Sequence, residues 1–260
     1  MNASNMNAAV NSLQGRVALV TGGARGIGRA TALAFAKEGA HVIAMARTQG
    51  ALEELDDAIR AVGGTATLVP ADLKDMDSLD RLGPALLERW GKLDIFFGNG
   101  AILGPISPLG HIIAKEWDDV MLVNVTANFR LIRILDPLLQ RSASGRVILM
   151  SSAAAWKRRP YWGPYSVSKA AVEALGHTYA QEVSSTSIKV MMVDPGPLRT
   201  DMRATAVPGE DPMSLREPSE LVPHLIDMAA ASWTDTGRLF DFSGPTPRLC
   251  DFGKPVDVKA

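Results

Sequence analysis

A single cysteine, Cys250, among 260 residues excludes an intrachain disulfide and suits a reducing compartment. The four histidines, His41, His111, His177 and His224, are too scattered in the sequence to suggest a metal site, and none is expected. Neither charge sign is in excess. Basic and acidic residues number 27 and 28, so the formal net charge of −1 gives no electrostatic reason to expect nucleic acid or a membrane surface as partner. A small molecule is the expected partner instead. No run approaches the roughly 18 apolar residues a membrane-crossing helix needs. The first fourteen residues are rich in Asn and Ala but lack the basic start and apolar core of an export signal. Residues 1–14 are therefore expected to be a flexible arm, residues 15–260 one domain, and the protein cytoplasmic.

What is present is an alternation. Strand-like runs fall at residues 17–20, 42–46, 66–69, 93–97, 146–150, 189–193 and 239–242, several of them apolar on consecutive residues. Such runs suit a parallel sheet covered on both faces. The stretches between them, 51–62, 75–90, 115–139 and 164–183, have helical content and length. This pattern predicts a doubly wound α/β sheet of Rossmann-like form, in which ligands bind beyond the carboxyl ends of the strands.

Two local features carry chemistry. The first strand runs directly into Thr21-Gly22-Gly23-Ala24-Arg25-Gly26-Ile27-Gly28 and then a helical stretch. Strand, glycine loop and helix N-terminus together let backbone approach a phosphate. The glycines follow G-x-x-x-G-x-G and not the common G-x-G-x-x-G, so the pattern by itself also fits a mobile turn. The second feature is Tyr165 and Lys169, four residues apart at the start of a helical run and so on one helix face. An ammonium beside a phenol favours the phenolate, which would make the pair an acid/base unit. Spacing alone leaves open two solvated side chains.

With these features the chain resembles the short-chain dehydrogenase/reductase family over residues 15–244, in the compact single-domain form and similar to a poorly characterised bacterial subgroup. Further family marks occur in order: Asp72 after a strand-like run, Asn124 within the helical stretch following Trp117, Ser152 thirteen residues before Tyr165, and Pro195-Gly196-Pro197-Leu198-Arg199-Thr200. The resemblance implies Asn124, Ser152, Tyr165 and Lys169 as catalytic residues. It implies cofactor contacts from Gly22, Arg25, Gly26, Ile27, Gly28, Arg47, Asp72, Leu73, Asn99, Tyr165, Lys169, Pro195, Gly196, Leu198 and Thr200. It also implies pairing of the 115–139 and 164–183 helices between subunits in a homodimer or homotetramer, and a substrate lid near residues 201–217. One mark departs: the family's Asn-Asn-Ala-Gly is here Gly98-Asn99-Gly100-Ala101.

The end of the second strand bears on cofactor choice. An acidic residue there selects NAD(H) by bonding the ribose 2′-hydroxyl, whereas this chain has Ala46 followed by Arg47, with Arg25 in the glycine loop. Two cations and no anion predict NADP(H) in preference to NAD(H). Three residues between Tyr165 and Lys169, in place of the six of related enoyl reductases, point to carbonyl/alcohol chemistry. The other function class is a catalytically silent cofactor-binding or sensor protein on the same fold. Trp156, Tyr161 and Trp162 either line an apolar pocket or, as often for aromatics near a helix start, belong to the core or a subunit interface. Lys157, Arg158 and Arg159 either attract an acidic substrate or form a solvated surface run.

Overall fold

The computed structural model describes residues 11–251. One eight-stranded sheet has the order β3-β2-β1-β4-β5-β6-β7-β8. Its strands are β1 Val17–Thr21, β2 His41–Ala46, β3 Thr65–Pro70, β4 Ile95–Gly98, β5 Arg146–Met150, β6 Lys189–Asp194, β7 Arg238–Asp241 and β8 Arg248–Asp251. The first seven are parallel, with β1 flanked by β2 and β4. Strand direction of connection therefore reverses between β1 and β4, which opens a crevice at their carboxyl ends.

Helices cover both faces, α1 Gly26–Lys37, α2 Gln49–Ala61 and α9 Pro218–Ala229 against one, α3 Met76–Trp90, α5 Ala127–Leu139 and α7 Gly163–Glu182 against the other. This explains why every residue of β1, β4 and β5 is buried and why the central strands read as unbroken apolar runs. The expected single-domain, doubly wound α/β sheet is what the chain forms. Among the described residues no helix is long and apolar enough to cross a membrane.

Several boundaries differ from expectation for identifiable reasons. The stretch 115–139 is helical throughout, but it comprises α4 Ala114–Met121, a π turn Leu122–Thr126 and α5. No propensity pattern marks the wide turn. The last strand, β8, was not expected: it is antiparallel to β7, lies at the sheet edge and is only partly buried, so its apolar signal is weak. Of the expected N-terminal arm, residues 1–10 lie outside the described residues. Residues 11–14 are packed, because Leu13 is fully buried and the Asn11 and Ser12 amides donate to the Glu38 carboxylate. The remaining helices are α6 Ala154–Lys157 and α8 Asp201–Ala206.

Candidate active site

The carboxyl ends of β1, β4, β5 and β6 surround a cavity of about 560 Å³, and the sequence-predicted site residues other than Gly28 and Asn124 line it. At its glycine-loop end, Gly22 leaves β1 with φ +64°, and a Cβ there would stand 2.9 Å from Asn99 Nδ2 and 3.0 Å from Gly100 Cα. A side chain on Gly28 would run into the Gly22 carbonyl, so the first turn of α1 can lie against the loop only if that residue is glycine. The N-cap residue Arg25 bonds no first-turn amide through its side chain. Those amides and the positive end of α1 are available to an anion.

Asn99 ties this loop to β4. Its backbone N–H donates to Thr21 Oγ1 at 3.0 Å and its side-chain amide donates to the Thr21 carbonyl at 3.0 Å, while the Gly100 N–H also reaches Thr21 Oγ1 at 2.9 Å. Asp72 Oδ1 accepts from the Lys74 N–H at 3.0 Å, which orders the turn carrying Leu73 along the cavity wall. Arg47 follows β2, is exposed and lines the same end of the cavity. Arg25 lies 3.9 Å from Asp201, both largely exposed.

The Gly98 departure has a steric explanation. A Cβ at Gly98 would meet Asn128 Oδ1 and Leu149 Cδ2, each at 2.7 Å. The buried Asn128 amide fills the space an asparagine at 98 would occupy, and its Nδ2 donates to the Asn124 carbonyl at 2.7 Å, within the π turn. Ala101 raises no backbone difficulty, because it is not among the residues with positive φ. Asn128 carried no signal in the sequence beyond lying one helical turn after Asn124.

At the other end, β5 delivers Ser152 and α7 delivers Tyr165 and Lys169, all of which line the cavity, while Asn124 is buried behind it. Asn124 Oδ1 accepts from the Ile102 N–H, and its Nδ2 donates to the Ile102 carbonyl and to Ser168 Oγ, all at 2.9 Å. Ser168 Oγ in turn donates to the Tyr165 carbonyl at 2.8 Å. Asn124 therefore fastens the loop after β4 to the first turns of α7. Lys169 Nζ donates to the Met150 carbonyl at 2.7 Å and lies 5.6 Å from the Tyr165 ring centre.

Burial dominates the electrostatics here. It pushes Tyr165 up to about 12, opposed by a hydrogen bond from Ser152 and reinforced by Asp194. It likewise brings Lys169 down to about 8, against the pull of Glu173. The expected lowering of the Tyr165 pKa by Lys169 is thus not present in the protein alone, because both groups are desolvated together. Burial also raises Asp194, whose Oδ1 accepts from the Gly196 N–H at 3.0 Å and whose Oδ2 has no partner among the described residues.

After β6, Gly196 takes φ +63°, and a Cβ there would stand 2.6 Å from Ser243 Cα. The turn brings Pro195 and Leu198 to the cavity wall, and Thr200 caps α8 by accepting from the Arg203 N–H at 3.2 Å. The expected lid segment begins as α8 and then forms a short 3-10 turn, Pro212–Ser214. Of the three aromatic candidates, Trp162 lines the cavity and Trp156 and Tyr161 do not; of the basic run, Lys157 and Arg159 do and Arg158 does not. Leu103, Met202 and Ala206 complete the apolar lining around Tyr165, contributions that no sequence motif announced.

The model of the short chain dehydrogenase family matches residues 16–211. The chain belongs to the short-chain dehydrogenase/reductase family. It is therefore an NAD(P)-dependent oxidoreductase. Among curated relatives, the uncharacterised oxidoreductase YciK of Escherichia coli (strain K12) is 34% identical over 233 residues, 88% of this chain and 92% of that protein. An uncharacterised NAD-dependent oxidoreductase of Mycobacterium tuberculosis is 35% identical over 211 residues, 76% of each chain. Among solved structures, a short-chain dehydrogenase from Shigella flexneri 2a complexed with NADP superimposes with a TM-score of 0.85 at 32% identity, covering 91% of this chain and 100% of that one.

Proposed function

We propose that this short-chain dehydrogenase/reductase uses NADP(H) to interconvert a carbonyl and an alcohol, with Tyr165 as the acid/base. The observation that carries this reading is the placement of the Tyr165 hydroxyl beside Ser152, above buried Lys169, in the same cavity as the glycine loop. The cavity end around Gly22 suits a dinucleotide: a backbone cradle that a Cβ would fill, uncapped helix amides, and Arg25 and Arg47 with no acidic residue at the end of β2. The NADP in the Shigella flexneri relative supports the phosphate-bearing cofactor, whereas the Mycobacterium tuberculosis relative is named NAD-dependent. Arg47 is the residue on which the preference would turn, through charge-assisted pairing with a 2′-phosphate.

When bound, the nicotinamide supplies or accepts the hydride. Tyr165 gives its proton to the carbonyl oxygen in reduction and takes it from the alcohol in oxidation. Ser152 holds that same oxygen. Lys169, fixed by the Met150 carbonyl, places a cation under the phenol and would hold the cofactor ribose. The side chain of Asn124 is committed to Ile102 and Ser168, so a water resupplying protons would meet it at its backbone carbonyl, which also accepts from Asn128. Residues Asp72, Leu73, Asn99, Pro195, Leu198 and Thr200 would frame the cofactor, and 201–217 would act as the substrate lid.

The protein acts in the cytoplasm as a homodimer or homotetramer, with Phe129 of α5 and Val167 of α7, 47% and 44% exposed, in the contact. The test of the reaction class is NADPH consumption by purified protein with ketones, aldehydes, diketones and quinones. Turnover of carbonyl compounds is expected. Cofactor binding without turnover of any would point to a sensor.

A further inference from the structure

The loop between the two halves of the reacting end, residues 157–161, holds unusual backbone. Arg158 and Tyr161 are two of the three described non-glycine residues with positive φ, at +49° and +73°. Such conformations cost free energy that surrounding structure must offset, and they gather at functional sites. This loop is held from outside, since the Ser107 N–H donates to the Tyr161 carbonyl at 3.0 Å. The left-handed turn at Arg158 separates the basic run: Lys157 and Arg159, two positions apart, both line the cavity, and Arg158 does not.

These two cations differ from Arg203 and Arg25 around the same cavity, and Arg47 lies at the glycine-loop end. Arg203 is bound through two nitrogens to Glu210 at 2.6 Å, and Arg25 faces Asp201 at 3.9 Å. Lys157 and Arg159 make no ion pair within 4 Å among the described residues; Lys157 Nζ rests 5.0 Å from the Trp156 ring centre, and its charge reaches Asp194, opposing the rise that burial imposes there. The carboxylates of the cavity wall are Asp72 beside the glycine loop, Asp194 behind Tyr165 and Asp201 at the start of α8. Around Tyr165 the wall is apolar, built from Leu103, Trp162, Met202 and Ala206. A ligand held at Tyr165 that extends along the cavity to Lys157 and Arg159 would set apolar surface against this wall and an anion beside the two cations.

We infer that the substrate is a carbonyl compound with an apolar body and a remote carboxylate, its carboxylate held by Lys157 and Arg159. The inference rests on the proposed function and deepens it. Both cations are exposed, so they act through partly screened pairing and bring affinity and orientation but no chemistry.

The probes are 4-formylbenzoate and 3-(4-formylphenyl)propanoate, each compared with its methyl ester in NADPH-dependent reduction at low ionic strength. One acid at least should exceed its ester tenfold or more in kcat/KM, mainly through KM, and the margin should shrink as salt is raised. In a Lys157→Ala/Arg159→Ala variant the acid-to-ester ratio should fall toward one. A wild-type ratio near one for both pairs, or an undiminished ratio in the double variant, overturns the inference while leaving the oxidoreductase reading intact. Loss of NADPH affinity in the variant overturns it too, because the cations would then serve the cofactor. Turnover of neither acid nor ester, together with failure of the wider carbonyl panel, would remove the proposed function and this inference with it.

Discussion

The exchange of space between Gly98 and Asn128 makes a prediction that single substitutions alone would not test. In Gly98→Asn the new Cβ lies 2.7 Å from both Asn128 Oδ1 and Leu149 Cδ2, well inside ordinary contact, in a fully packed region behind β4. Overpacking of this kind costs about 1–3 kcal/mol. In Asn128→Ala the Asn124 carbonyl loses its 2.7 Å donor within the π turn, a loss of about 1–3 kcal/mol. The double variant removes the clash and offers a new amide from the other side. Its stability should exceed the sum of the single effects by at least about 1 kcal/mol. Urea unfolding of the four proteins under identical conditions measures this coupling, and turnover should follow it, since Asn124 sets Ile102 and Ser168. Effects that add within about 0.5 kcal/mol would refute the idea that the two residues share one space.

Cofactor choice is tested by titrating NADPH and NADH into wild type and Arg47→Ala: NADPH should bind at least tenfold more tightly, about 1.4 kcal/mol, and the variant should lose most of that margin. The pKa of Lys169, about 8 in the folded protein against 10.5, means the unfolded chain binds more protons above pH 8, so this group's contribution to stability rises with pH. Wild type should therefore gain roughly 1 kcal/mol relative to Lys169→Met between pH 8 and 9 in denaturant titrations, and a constant difference would contradict the buried, depressed ammonium. Light scattering should give a dimer or tetramer of the 27.8 kDa chain, and Phe129→Asp/Val167→Asp should dissociate it; a monomeric wild type at micromolar concentration would remove that assignment.

Much of the frame was legible because it rests on local rules. Consecutive apolar residues in β1, β4 and β5 could only be buried on both faces, and Gly22 and Gly28 occupy positions where a Cβ has no room. The i, i+4 spacing brought Tyr165 and Lys169 together as expected. What escaped depends on contacts between distant segments. Asn128 matters because Gly98, thirty residues earlier, leaves it space. Leu13 is buried because Glu38 holds Asn11, Ser12 and Leu13 itself, and the Gly39 carbonyl holds Gly15 just after it. The sign of the Tyr165 shift could not be read from a neighbouring lysine, since it follows from how completely both groups are desolvated.

The most direct test is single-turnover hydride transfer from NADPH to an accepted carbonyl substrate in wild type and Tyr165→Phe, with cofactor affinity measured alongside. The substitution removes only the hydroxyl. Transfer should slow by on the order of 10² to 10⁴ while NADPH binding changes little. Near-normal transfer in Tyr165→Phe would show that another group moves the proton and would contradict the account at its centre.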